Sequence, residues 1–131
     1  MTPDKLVEVA RAALKNAHAP YSGYSVGAAL LCGDGSVVSG CNVENASYGL
    51  TNCAERTAVF SAIAAGTSTF KAIAIAASKD PTPYPCGACR QVLAEFCSPD
   101  LPVHIATGET YTTIPLGELL PHAFEPKETD A

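Results

Sequence analysis

The chain has no tryptophan, a single methionine and only 16% charged residues among its 131 positions. Basic residues are scarce: eight lysines and arginines stand against thirteen acidic residues, for a formal charge of -5 and a pI near 5.0. A protein that grips a phosphate backbone by displacing counterions needs the opposite balance, so no nucleic-acid partner is expected. Long apolar runs are missing too. A stretch such as Ala72 to Ala77 is far shorter than the roughly 18 residues that would cross hydrocarbon, and no membrane partner is expected. Met1-Thr2-Pro3-Asp4-Lys5 opens without the apolar segment of a secretory leader, which makes the cytoplasm the expected compartment. What the chain does have is apolar mass, with 47% hydrophobic residues and a mean hydropathy of +0.15. That excludes charge-driven disorder and fits one compact domain over residues 1–131. So few charges are thin cover for a small domain, and burial of apolar area between identical chains is expected.

Thr2 followed by Pro3 opens a segment in which Leu6, Ala10, Ala13, Leu14 and Ala17 recur at helical spacing, ending before Pro20. Val26–Cys32 and Val37–Asn42 read as short strands joined by the turn Gly33-Asp34-Gly35-Ser36, a hairpin. Asn52 reads as the N-cap of a helix from Cys53 to about Ala65, closed by Gly66. Phe70–Ala77 alternates around Ile73 and Ile75 as a buried strand does, and Pro81, Pro83 and Pro85 then force a loop. A helix is expected from Cys86 to about Cys97 and a strand from Val103 to Ala106. The order strand, helix, strand makes those two strands parallel neighbours through a right-handed crossover. Gly108-Glu109 is too short for anything but an antiparallel return into Thr110–Ile114, so the sheet is mixed. A short helix from Leu116 to Leu120 and a polar tail, Glu125–Ala131, expected to fray, end the chain.

In a reducing compartment the six cysteines are free thiols or metal ligands rather than disulfides. Two clusters stand out, Cys53-Ala54-Glu55-Arg56 and Pro85-Cys86-Gly87-Ala88-Cys89-Arg90, each at an expected helix start. Cys86 and Cys89 are three apart and share a helix face, so both sulfurs can reach one ion. Side chains lean toward a helix N-terminus, and around a first turn they converge on something beyond the end of the axis. Two helices meeting end-on therefore bracket one ion between Cys53, Cys86 and Cys89. Three thiolates leave one tetrahedral position open to water, the arrangement of a catalytic zinc. Helix ends favour the thiolate form. Three thiolates also overcompensate a divalent ion, and Arg56 and Arg90, two of only eight basic residues, stand where a guanidinium donating to sulfur would withdraw charge.

A lone C-x-x-C is a weak signal that also suits half a structural zinc knuckle or a redox pair, the latter disfavoured by the missing thioredoxin-like context. Cys32, Cys41 and Cys97 read as core thiols, although a fourth thiolate from Cys41 or Cys97 would close the site. His18, His104 and His122 lack metal-ligand spacing. Glu55 is ordinary as an acidic residue in a helix's first turn, and Asn42 and Glu44 as turn formers after a strand.

Cys53-Ala54-Glu55-Arg56 followed by Pro85-Cys86-Gly87-Ala88-Cys89-Arg90-Gln91 resembles the two-part signature of the zinc-dependent cytidine deaminases, with Cys53 where other branches carry histidine. The likeness extends through Ala19-Pro20-Tyr21-Ser22, Val26-Gly27-Ala28-Ala29, Asn42-Val43-Glu44-Asn45 and Leu119-Leu120-Pro121, in the manner of the short, homotetrameric members. The resemblance implies an α/β fold, a three-layer α/β/α sandwich on a mixed five-stranded sheet. It implies one Zn2+ per chain on Cys53, Cys86 and Cys89, with Glu55 as proton shuttle. A carboxylate beside the metal but not on it can move a proton from water to the ring N3 and then to the departing amine. The same resemblance implies that Asn42 and Glu44 hold the ribose hydroxyls, that Ala54 and Tyr24 meet the base, and that Phe124 and Tyr48 reach a neighbouring subunit. Tyr24 stands where the family usually has phenylalanine, and its extra hydroxyl needs a partner.

The activity so implied is hydrolytic deamination of cytidine and 2′-deoxycytidine, a pyrimidine-salvage reaction on a small-molecule nucleoside. A deaminase of another cytosine-containing molecule, such as a nucleoside antibiotic, would carry the same metal site. A non-catalytic structural zinc module would make Glu55 dispensable, and nucleic-acid editing sits badly with the acidic balance.

Overall fold

The computed structural model describes residues 1–125; the tail expected to fray lies, beyond Glu125, outside the described residues. Helix α1 runs Pro3–Ala13 behind Thr2, whose side chain accepts from the Lys5 N–H. A 3-10 turn at Leu14–Asn16 follows. The helical pattern up to Pro20 stops short because His18 bridges Val43: its N–H donates to the Asn42 carbonyl and its own carbonyl accepts from Glu44.

Strands β1 (Val26–Cys32) and β2 (Val37–Cys41) form the expected hairpin. They are followed by α2 (Ala54–Ala64), β3 (Phe70–Ala77), α3 (Gly87–Phe96), β4 (Pro102–Thr107), β5 (Thr110–Pro115) and α4 (Leu116–Leu119). The sheet order is β2-β1-β3-β4-β5. β3 and β4 are parallel, with Ile73 opposite Val103 and Ile75 opposite Ile105, and β5 returns antiparallel as the short Gly108-Glu109 link requires. Strand ends move by a residue from the expected bounds, since the β4–β5 ladder extends from Pro102 opposite Pro115 to Thr107 opposite Thr110.

Alternation in β3 sorts the layers. Ile73 and Ile75 point to the face covered by α2, α3 and α4, where they meet Ala58, Val59, Leu93, Val103, Ile105 and Leu116. Ala72, Ala74 and Ala76 point to the other face and let α1 sit close through Leu6, Val7 and Ala10. Period-two patterning thus yields a three-layer α/β/α sandwich with the large side chains on the face covered by α2, α3 and α4. Burial of these aliphatic side chains, at roughly 1.5–3 kcal/mol each, is what holds the layers together.

α2 rests on β2 with almost no separation. A Cβ at Gly40 would collide with the Ala54 carbonyl and stand 2.6 Å from the Ala58 nitrogen. This glycine seats the first turn of α2 directly on the strand. At the other end Gly66, at φ 93°, closes the helix, with the Thr67 N–H donating to the Ala62 carbonyl.

Helices α2 and α3 each begin one residue later than expected, so Cys53 and Cys86 are cap positions with extended backbone, at ψ 156° and 166°. Asn52 is not the cap. Its N–H and C=O are both taken by Val43 at 2.9 Å, and its side-chain amide donates to Thr57 Oγ1 at 3.2 Å.

Candidate active site

The N-termini of α2 and α3 converge at one end of the sandwich, so two cap residues and one first-turn residue bring their sulfurs together. Cys53 and Cys86 are 3.8 Å apart, Cys86 and Cys89 3.5 Å, and all three sulfurs lie within 4.8 Å of one another. Sulfurs placed about 2.3 Å from a tetrahedral zinc would stand about 3.8 Å apart, so the trio fits that ion without rearrangement. Among the described residues no fourth histidine, cysteine or carboxylate joins them. Cys41 and Cys97, weighed as closing ligands, lie outside the cluster, as do Cys32, His18, His104 and His122.

Arg56 donates through Nη2 to the Cys53 sulfur at 3.1 Å, while its Nε is buried with no partner among the described residues. The Cys89 thiol bonding to Cys53, with Arg56 beside it, lowers the Cys53 pKa to about 5 against a burial that would raise it. The same bond seen from the other side, reinforced by burial and by the Glu55 charge, holds Cys89 above the ordinary thiol range. Arg56 is raised in turn by its bond to Cys53. Arg90 does something else. It donates through Nε to the Pro85 carbonyl at 2.7 Å and through Nη1 to the Leu119 carbonyl at 2.6 Å. Of the two arginines that the motifs offer for this task, Arg56 donates to sulfur, and Arg90 ties the residue before Cys86 to α4. A guanidinium takes carbonyls whenever the fold aims them at its fork.

Glu55 is only 5% exposed. Burial, and secondarily the Cys53 thiolate, push its pKa up to about 7, against its own backbone N–H, the Cys89 thiol and Arg56. A carboxyl so placed exchanges protons near neutral pH. It lines a cavity of about 210 Å³ with Tyr24, Val26, Asn42, Ala54, Ile75 and the sulfur pair Cys53 and Cys86. Thr51, Asn52, Pro83 and Tyr84 complete the wall. Val26 and Ile75 carry only a strand signal in the sequence, Asn52 only a capping one, and Tyr84 sits between two prolines whose pattern specifies only a loop.

Asn42 is 8% exposed at the cavity edge. Its Nδ2 donates to the Tyr24 carbonyl at 2.8 Å and its Oδ1 accepts from the Val26 N–H at 2.9 Å. Glu44 lines an adjoining hollow with Tyr21, Ser22, Tyr48 and Thr51. Its carboxylate accepts from the Tyr21 and Ser22 N–H groups and from the Ser22 hydroxyl, which lower its pKa. The two hollows meet at Thr51, which lines both. Tyr48 is 75% exposed and stands edge-on to Tyr21 at 5.8 Å. Phe124, also 75% exposed, lies over α3 and α4, where its carbonyl accepts from Gln91, and does not line this chain's cavity.

Three thiolates at two helix ends, one tetrahedral vertex short and beside a buried carboxyl, are the equipment of a hydrolytic metalloenzyme. The profile of the cytidine and deoxycytidylate deaminase zinc-binding region matches residues 1–105. The chain is 52% identical to a cytidine deaminase of Halalkalibacterium halodurans over 126 residues, 95% of either chain. It is 45% identical to one of Sporosarcina psychrophila over 130 residues, 98% of this chain and 95% of that one. A crystal structure of cytidine deaminase from Burkholderia pseudomallei superposes with a TM-score of 0.90 at 52% identity, covering 95% of this chain and all of that one. The chain belongs to the cytidine and deoxycytidylate deaminase family, and its cofactor is zinc.

Proposed function

We propose that the chain, working as one domain over residues 1–131, catalyses hydrolytic deamination of cytidine and 2′-deoxycytidine to uridine and 2′-deoxyuridine with release of ammonia. The observation that carries this reading is Glu55, a nearly inaccessible carboxyl with a pKa of about 7 that lines the same cavity as Cys53 and Cys86. Cys53, Cys86 and Cys89 would hold the zinc, which would supply a Lewis acid able to make water nucleophilic at neutral pH. Glu55 accepts a proton from the attacking water and delivers it to the pyrimidine N3. It then takes a second proton from the resulting hydroxyl and hands it to the departing amine, so it ends the cycle as it began. Arg56 draws charge from the Cys53 sulfur, which three thiolates would otherwise leave too electron-rich.

Val26, Ile75 and the Tyr24 ring give the base an apolar wall, and Ala54 offers no side chain to obstruct it. Asn42 has one amide N–H left over and Glu44 spare lone pairs, which suits both to sugar hydroxyls. The exposed Tyr48, Leu50 and Phe124, with the apolar groove between Phe60 and Phe96, favour a homotetramer in which Phe124 and Tyr48 serve a neighbouring site. Among the described residues no helix is long and apolar enough to cross a membrane. A cytoplasmic role in pyrimidine salvage accords with the free thiols, and the acidic balance disfavours nucleic acid.

Ammonia release from cytidine, 2′-deoxycytidine, cytosine and a cytosine-nucleoside antibiotic tests the reading. Turnover of both nucleosides is expected, and Glu55→Gln is expected to retain zinc while losing about 100-fold to 10,000-fold or more in rate. Turnover of the antibiotic alone would reassign the substrate. An active Glu55→Gln enzyme would remove the proton shuttle.

A further inference from the structure

The segment from His18 to Tyr24 grips the chain just past β2 at several points. The His18 main chain brackets Val43, donating to the Asn42 carbonyl at 3.0 Å and accepting from the Glu44 N–H at 2.8 Å. A single turn follows, closed by the Gly23 N–H on the Ala19 carbonyl at 3.0 Å. That turn aims two main-chain donors at one carboxylate oxygen, for the Tyr21 and Ser22 N–H groups meet Glu44 Oε1 at 3.0 and 3.1 Å. The Ser22 hydroxyl donates to the other oxygen, Oε2. Ser22 is thus the one side chain in this segment that holds Glu44, and both residues line the same hollow.

The direction of the Ser22 hydroxyl follows from its neighbours. It has one proton, and the Tyr24 N–H, a donor only, reaches its oxygen at 3.0 Å. That contact occupies a lone pair and leaves the proton for Glu44, whose ionised carboxylate only accepts. Two N–H groups fill Oε1, while Oε2 receives the hydroxyl and keeps one position. Bonds to a single oxygen make a pivot, and the hydroxyl on Oε2 is what stops the carboxylate from turning about it. Water could replace the lost bond in Ser22→Ala, but without its fixed direction.

Resting on the deaminase reading above, we propose that Ser22 is a positioning residue of the sugar site. Its hydroxyl, oriented by the Tyr24 N–H, locks the Glu44 carboxylate so that Oε2 presents one acceptor position to a single sugar hydroxyl. Ser22 touches no reacting atom and acts through Glu44. Because the arrangement is built before substrate arrives and persists throughout turnover, its loss weakens binding rather than the chemical step. The base wall is spared, since Tyr24 stays held through its carbonyl by Asn42 Nδ2 at 2.8 Å.

Kinetics of zinc-loaded full-length enzyme decide the matter. Ser22→Ala is expected to raise KM for cytidine about threefold to tenfold with kcat held within about twofold. Ser22→Thr, which keeps the hydroxyl, is expected to bring KM back to within about twofold. The inhibition constant of 1-methylcytosine, which keeps the base and lacks every sugar hydroxyl, is expected to move less than about twofold in Ser22→Ala. Added to Glu44→Ala, the same change is expected to raise KM by less than about twofold more. An unchanged KM in Ser22→Ala, no recovery in Ser22→Thr, an equal weakening of 1-methylcytosine, or losses that multiply in the double variant would overturn the proposal. Absence of cytidine turnover by the unmodified enzyme would sink the deaminase reading and the sugar-site role with it, but not the lock on Glu44. Titration of the Glu44 carboxyl by NMR then decides the lock: an upward shift in Ser22→Ala that Ser22→Thr reverses upholds it, and an unmoved titration refutes it.

Discussion

Arg56 reaches back one turn to donate to the Cys53 sulfur at 3.1 Å, whereas Arg90, which directly follows Cys89 in the chain, bonds two carbonyls. Two arginines that look equivalent in the motifs have separate tasks.

Removing the first is expected to alter the chemistry. Arg56→Gln should lower kcat about 10-fold to 100-fold with most of the zinc kept, because the Cys53 sulfur then carries more charge. Arg56→Lys should recover only part, since an ammonium lacks the planar fork. Steady-state kinetics alongside metal analysis checks this, and a normal kcat in Arg56→Gln would contradict it.

Removing the second is expected to alter stability first. Arg90→Met deprives the Pro85 and Leu119 carbonyls of their donor and should cost about 1–3 kcal/mol. Denaturant unfolding of the zinc-loaded protein measures this. An effect on kcat larger than that of Arg56→Gln would reverse the assignment.

Gly40→Ala tests the seating of α2. The added methyl would strike the backbone at Ala54 and Ala58, so helix and strand must part at a cost of about 1–3 kcal/mol. Because Cys53 and Glu55 ride on that first turn, zinc retention should fall together with Tm. A variant of unchanged Tm would show that the close approach is relaxed in solution.

His104 supplies a pH dependence independent of the metal centre. It is buried between strands, with Nδ1 paired to Thr113 Oγ1 at 2.8 Å and Tyr111 edge-on at 5.5 Å. Burial holds its pKa below the ordinary 6.5. The unfolded chain then binds this proton more readily than the native one. The stability due to neutral His104 is complete above about pH 6.5 and is lost as pH falls from there toward the native pKa. Urea unfolding at about pH 7.5 and about pH 5.5 should show the midpoint falling with acid, and His104→Gln should flatten that component. A slope unchanged in the variant would assign the effect elsewhere.

Much of this architecture is legible residue by residue. Thr2-Pro3, the Gly33–Ser36 turn, Gly66 and the alternation around Ile73 and Ile75 are local signals, and each acts where its neighbours allow. The spacing of Cys86 and Cys89 likewise declares a shared face. Misreadings arise where a distant partner intervenes. Asn52 has a capping side chain, yet its backbone is claimed by Val43. Arg90 meets a carbonyl 29 residues away, and the pairing of Ser25 with Ser78 depends on two segments that only the sheet brings together. No local pattern encodes such pairings.

The sulfur trio is graded in its access to water, with Cys89 buried, Cys53 halfway and Cys86 exposed. Traffic to the centre is therefore one-sided. An arriving cation, a competing chelator and a peroxide would each encounter Cys86 before either companion, so the durability of the whole assembly is governed by its outermost donor.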